Sequence, residues 1–337
     1  MENLYVVEQG SFLAKSGDTL KIVKQGTVLD TVPAKDLTKL ILTGHVSLTG
    51  PVMDYLIRHR VETVFLTPTG RFRARLMIDE HRHVALRKAQ YERLSDPNDS
   101  LNVMKIIVQG KLENMAAFLL RRGRDYNEPK LKAGAAALTS LTSSLKAARE
   151  KSIVRGIEGA GSRIYFSVFP LLIRNDVFFF NGRNRRPPKD PVNALLSFVY
   201  TLLTNEVISA IKTCGLDPYL GALHEISYGR PSLACDLVEE YRAPVADRFV
   251  LQLLNRKMIK PEDFVYRKPG QKVYTDEKEM ASNRPVEMKP RLYKTFLAAY
   301  EQIMQGPAGH RNTIQAQVRT FADFLLGKKI SYRPVKL

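Results

Sequence analysis

The chain has 337 residues, 44% of them hydrophobic and 26% charged, and carries 52 Lys and Arg against 34 Asp and Glu for a formal net charge of +18. That length suffices for one large domain or two ordinary ones, and the composition excludes a disordered chain. A cationic excess of this size draws polyanions, nucleic acid first among them; a basic surface that serves only solubility is the competing reading.

The charge is uneven. Residues 1–80 hold ten Lys and Arg against nine Asp and Glu, which leaves 42 against 25, a net of +17, for residues 81–337. The second part is therefore expected to meet the anion. Two cysteines, Cys214 and Cys235, form no CxxC pair, so neither a disulfide framework nor a cysteine-based zinc site is expected. The early acids of "MENLYVVEQGSFLAKSGD" argue against a secretory leader. No stretch reads as the roughly eighteen apolar residues of a membrane span. A cytoplasmic protein is expected.

In chain order, residues 1–80 read as strands. "LYVVEQGSFLAKSGDTLKIVKQGTVLDTVP" alternates β-branched runs with Gly-containing turns at hairpin spacing. "KLILTGHVSLTG" and "VETVFLTPTGRFRARL" repeat the pattern, with a short helix in "GPVMDYLIRHR" between them. Beyond residue 80 the period becomes helical. "VALRKAQYERL" predicts one helix and residues 100–124 a longer one with Ser100 as N-cap. Residues 129–159 continue the period. "PVNALLSFVYTLLTNEVISAIKTCGL" is apolar on most faces and predicts a buried helix from Pro191 to an exit at Gly215. Two helices opened by Pro231 and Pro244 follow, then a hairpin around Pro269-Gly270. Helices over 291–305 and 313–327 precede a loose basic tail, "KKISYRPVKL". The fold class expected is α+β: a β-rich domain over 1–80, then a larger all-α domain over 81–337.

The chemistry-bearing stretch is "HEISYGRPSLACDLVEEYR", residues 224–242. On a helix from Pro231, Asp236 and Glu239 share one face, whereas Glu240 points elsewhere. Paired carboxylates repel, so a cation belongs between them: Arg230, Arg242 or a divalent metal. His224 precedes the helix by a loop through Gly229 that can fold the imidazole over the acids. Hard oxygens with one imidazole and no thiolate suit Mg²⁺ or Mn²⁺ better than structural zinc. A capping histidine beside a solvated acid face is the plainer alternative.

Glu158, in "RGIEGAGSRIYF", sits between glycines ahead of Arg163, Tyr165 and Phe166; as a phosphate loop the pattern is weak. "VFFFNGRNRRPPKDPVN" sets Arg183, Arg185, Arg186 and Lys189 on a Pro-Pro turn suited to phosphates. Phe178–Phe180 read as core, the "HRH" at 81–83 as a helix start, and His45 and His59 as surface or packing residues. Ser227 and Ser232 lack the GxSxG elbow of a serine hydrolase.

These stretches, in this order, resemble the CRISPR-associated adaptation integrase, the nuclease-integrase that inserts new spacers into CRISPR arrays. The resemblance is carried by Glu158-Gly159 before an aromatic pair, by "RNRRPPKDPVNALLSFVYTLL" and by "GLDPYLGALHEISYGRPSLACDLVEEYR", and covers nearly the whole chain. It implies a β-rich domain used for homodimerisation and a helical domain that binds Mg²⁺ or Mn²⁺ through Glu158, His224 and Glu239, the catalytic residues. Asp236 matches a second acid often near the site, either behind the ligands or an alternative ligand. The implied chemistry is attack of a DNA 3′-hydroxyl on a phosphodiester, with double-stranded DNA (protospacer and CRISPR repeat) contacted by Arg163, Arg183, Arg185, Arg186, Lys189, Arg230 and Arg242. A small CRISPR-associated partner protein would bridge two dimers. The other readings are a metal-dependent nuclease of branched-DNA repair and a non-catalytic DNA-architectural protein.

Overall fold

Alternating apolar and polar residues build two four-stranded sheets at the start of the chain. The structure, a computed structural model, describes residues 3–68, 70, 72–76, 83–184, 188–266, 286–305 and 309–336. Its first strands are β1 (Asn3–Val6), β2 (Ser11–Ser16), β3 (Thr19–Lys24), β4 (Thr27–Pro33), β5 (Lys39–Thr43) and β6 (Val46–Leu48). Helix α1 (Gly50–Arg58), β7 (Glu62–Leu66) and β8 (Phe72–Leu76) follow. The sheet orders are β1-β5-β7-β8 and β4-β3-β2-β6.

The hairpins β2–β3–β4 form as expected, the second through Gln25 and Gly26, both at positive φ as a tight hairpin turn requires. β1 departs from the expected meander. It pairs in parallel with β5 rather than turning back on β2, because β5 is buried along its whole length and needs a neighbour on each edge. Leu4, Val6, Leu13, Leu20, Leu40 and Leu42 close the core with Val52 and Leu56 of α1. Each such side chain, fully buried, contributes roughly 1.5–3 kcal/mol.

The helices are α2 (Val84–Ser95), α3 (Pro97–Asp125), α4 (Pro129–Ala147), α5 (Lys151–Val168) and α6 (Pro191–Cys214). Then come α7 (Ser232–Leu237), α8 (Glu239–Tyr241), α9 (Arg248–Asn255), α10 (Pro290–Gln305) and α11 (His310–Leu325). The part after residue 80 is mostly helical, as expected, and carries one short strand pair, β9 (Phe264–Tyr266) antiparallel to β10 (Val286–Met288). The expected hairpin around Pro269-Gly270 lies outside the described residues.

Four local expectations change. Asp96, not Ser100, caps α3, accepting from the N–H of Asn98 and Asp99, while Ser100 is buried and accepts from Lys151. The segment 129–159 is two helices, parted where Ala148 and Glu150 are extended. Pro244 opens no helix; it lies in a π-helical stretch, Arg242–Asp247, whose wider turn accommodates the ring and the missing N–H. The tail is not loose, for Tyr332 is 2% exposed and its hydroxyl donates to Glu240 at 2.5 Å. The N–H of Val335 donates to the same carboxylate at 2.9 Å, and Gln317 to it at 3.2 Å.

Helix α6 has the length and apolar character of a membrane span, contrary to the expectation that no stretch does; 67% of its most apolar window is buried inside the protein, as in a core helix. The chain divides into two compact units. One comprises Met1–Glu80, Arg186–Ala194 and Glu262–Ala299, the other His81–Arg185, Leu195–Pro261 and Tyr300–Leu337. Two segments of the span expected to form the second domain thus pack with the first.

Candidate metal centre

Helices α3, α5 and α8 and the loop before α7, all within the second unit, carry the candidate residues. Helix α5 carries Glu158 mid-helix rather than in a loop. One turn on, a side chain at Gly161 would meet Leu112 at 2.2 Å. Its absence lets α5 lie against α3, where Leu112 follows Lys111. The ammonium of Lys111, 3% exposed, ion-pairs with Glu158 Oε1 and lies 2.8 Å from Glu239 Oε2. Ser162, one turn from Glu158, donates to the same Oε1 at 3.0 Å.

Glu239 is 3% exposed. Burial alone would raise its carboxyl, but Arg242 and Lys111 outweigh that and hold it down at about 2. Arg242 reaches Oε1 at 3.1 Å and lies over the Tyr200 ring, 4.9 Å from its centroid. The other oxygen, Oε2, is buried and faces the Lys111 ammonium at 2.8 Å.

His224 is held from behind. Its Nδ1 lies 2.7 Å from Asp236 Oδ1, and that oxygen also accepts the His224 N–H at 3.0 Å. Asp236 Oδ2 accepts from the N–H of Ala222 and Leu223 at 2.6 and 2.9 Å. A carboxylate so engaged accepts the ring proton, which leaves Nε2 with the lone pair of the neutral imidazole. Asp236 is fully buried, and both its oxygens are spent on the 222–224 loop. A side chain at Gly221 would stand 2.4 Å from Asp236 Oδ2, so glycine is required there.

Among the described residues no three acid, histidine or cysteine side chains converge closely enough to hold an ion. Lys111 stands between two of them. The donor types nonetheless suit a hard dication: two carboxylates that face one buried ammonium, and one imidazole held through its Nδ1.

The expected DNA contacts fare unequally. Arg163 is exposed on α5, and Lys189 is exposed. Arg183 is turned inward, with Nη1 on the Asn184 carbonyl at 2.6 Å and Nη2 on Ser197 at 3.1 Å. Arg242 is spent on Glu239, and Arg230 on the Glu225 carbonyl. Arg185 and Arg186 lie outside the described residues. Phe178 and Phe180 are core, as read, but Phe179 is 80% exposed. His83 caps α2 through its ring Nδ1, whereas His81 and Arg82 lie outside the described residues. Sequence reasoning missed Lys111. Its signal was a lysine in register with Met104, Ile107, Met115 and Phe118, the buried stripe of α3.

Comparison with known proteins bears on this arrangement. The family described as "CRISPR associated protein Cas1" matches residues 4–301. A CRISPR-associated endonuclease Cas1 of Chlorobaculum tepidum is 36% identical over 92% of this chain and 88% of its own. One from Moorella thermoacetica is 38% identical over 82% of each. A solved Cas1 protein from Thermotoga maritima superposes with a TM-score of 0.81 at 25% identity, covering 97% of both chains. A casposase bound to an integration product shares the fold at the same TM-score and 23% identity, over 99% of this chain and 93% of its own. The class is that of CRISPR-associated endonucleases. The chain belongs to the Cas1 family.

Proposed function

We propose that this chain is a CRISPR adaptation integrase: a DNA 3′-hydroxyl attacks a phosphodiester at the edge of a CRISPR repeat, and the P–O3′ bond there breaks to release a new 3′-hydroxyl. The observation that carries the reading is the meeting of Glu158 and Glu239 around one buried cationic point, with His224 fixed beside Asp236. A bound Mg²⁺ or Mn²⁺ supplies polarisation of the scissile phosphoryl oxygen and offsets the charge that builds in the transition state.

The chain's own residues do the rest. Glu158, Glu239 and His224 Nε2 offer the ligand atoms. Arg242 keeps Glu239 ionised inside a buried site. Asp236 holds the His224 ring and its tautomer, so protonation of the imidazole would remove its donor. No protein nucleophile is needed, since the attacking oxygen belongs to DNA; with water instead, the same site cleaves. Exposed Arg163 and Lys189 are suited to backbone phosphates, which position the duplex without reading its sequence.

The assembly proposed is a homodimer through the strand-rich unit, two dimers being bridged by a small CRISPR-associated partner. Solved Cas6-RT-Cas1–Cas2 complexes contain a chain of the same fold, which supports such a partner. Action on a CRISPR array would place the protein in the cytoplasm. The test is a joining assay: purified protein, a 3′-hydroxyl DNA fragment and a repeat-bearing plasmid, with and without the partner. Joined product in Mg²⁺ or Mn²⁺ that EDTA abolishes is expected. Salt-dependent DNA binding with no joining or cleavage in either metal would return the protein to the architectural class.

A further inference from the structure

Lysine is seldom fully buried unless paired, because its ammonium sheds water on entering the interior. Lys111 is 3% exposed and reaches from α3 to both Glu158 and Glu239. With Arg242 it balances those two carboxylates charge for charge. The two cations hold different places. Arg242 takes Glu239 Oε1 and is fixed against the Tyr200 ring, whereas Lys111 faces both acids, through Glu158 Oε1 and Glu239 Oε2. A lysine stem is flexible and its head is a compact point charge, so of the two it is the one able to yield.

We propose that Lys111 is a tethered stand-in for the dication. It holds Glu158 and Glu239 together when no dication is bound, and it competes with the dication for the oxygens between them. The inference rests on Glu158 and Glu239 being ligands. A dication entering between the acids meets an ammonium within a few ångströms, and like charges at that distance oppose each other strongly in a site of low polarity. Lys111 thus lowers the affinity for the ion while sparing the protein without it an uncompensated pair of buried acids. Its burial argues against a primary role as a DNA contact, because the ammonium reaches a phosphate only by leaving both carboxylates.

The test uses the full chain stripped with EDTA, with Mn²⁺ as the probe, followed by calorimetry and thermal melting. Lys111→Met should melt lower than the unaltered protein when stripped. It should bind Mn²⁺ at least tenfold more tightly and show a larger Mn²⁺-induced rise in Tm. Lys111→Arg, which keeps the charge, should stay within about threefold of the unaltered affinity. A Lys111→Met affinity that is unchanged or weaker overturns the proposal. Should that variant fail to fold when stripped, refolding in Mn²⁺ should restore its far-UV circular dichroism, and failure to do so overturns the proposal equally. Unaltered protein that binds no Mn²⁺, or Glu239→Gln that binds it as well, refutes the ligand assignment and this inference with it. Binding lost in Glu239→Gln, together with unchanged affinity in Lys111→Met, refutes the role of Lys111 alone.

Discussion

Asp236 Oδ1 lies 2.7 Å from Nδ1 of His224 and also accepts that residue's own N–H at 3.0 Å. One buried carboxylate therefore fixes both the backbone and the ring of the only nitrogen donor proposed for the metal. Because Oδ2 takes two more N–H groups, an amide in its place turns a donor toward donors. Asp236→Asn should cost about 1–3 kcal/mol for each N–H left unpaired and lower metal affinity or joining by about 10–100-fold. Melting and Mn²⁺ calorimetry on the same sample check both, and joining within twofold of the unaltered rate would contradict the positioning role.

Gly221 tests the same carboxylate from the other side. An added Cβ would stand 2.4 Å from Asp236 Oδ2 and 2.8 and 2.9 Å from the Ser232 and Leu233 backbone, which has little freedom to retreat. Gly221→Ala should destabilise by about 1–3 kcal/mol and reduce joining along with it. A melting curve together with the joining rate is the measurement.

A pH dependence of stability follows from Asp247, fully buried, which accepts the hydroxyls of Tyr165 at 2.9 Å and Tyr200 at 2.5 Å. Burial raises its carboxyl from 3.8 to about 6, against the lowering by both tyrosines, Arg183 and Arg242. The folded state therefore binds more protons than the unfolded one between about pH 4 and 6. The stabilisation from this group is complete below that window and is lost as pH rises through it, a change on the order of 3 kcal/mol. Denaturant melts across the window should show Asp247→Asn lacking that fall. Parallel curves for variant and unaltered protein would contradict it.

The C-terminal residues should behave as part of the core. Tyr332 packs edge-on against Phe321 at 5.1 Å and, with Val335 and Gln317, satisfies Glu240, whose carboxyl burial pushes up to about 7. Ending the chain at Ser331 should lower Tm by several degrees, because a buried carboxylate loses two of its donors. A Tm within a degree of the full chain would show the tail to be dispensable.

Much of this was legible in the sequence where local chemistry decides. Pro191 and Gly215 bracket α6, and the apolar spacing of Val52 and Leu56 marks α1. Asp236 and Glu239, read as one face of a single helix, fall instead on α7 and α8 and turn to different partners, the 222–224 loop and Lys111 with Arg242. Long-range choices were not legible. The parallel pairing of β1 with β5 depends on what the far edge of β5 already carries. The π-helical passage at Pro244 depends on packing rather than on the proline alone. The tail read as loose because its partner, Glu240, lies 92 positions earlier than Tyr332. Within the candidate site, the sequence motif proposes Glu158, His224 and Glu239, but Lys111 lies 47 positions before Glu158 in a helix whose pattern reads as core. Only the charge on an otherwise apolar stripe betrays it.

The central claim is that Glu158, His224 and Glu239 act as one ligand set for DNA joining. The most direct measurement is the joining rate of Glu158→Ala, His224→Ala and Glu239→Ala, each against the unaltered protein in Mn²⁺ on the same repeat-bearing plasmid. Each single variant should lose joining to background while keeping a cooperative melt. Joining retained by a folded Glu239→Ala would contradict the account.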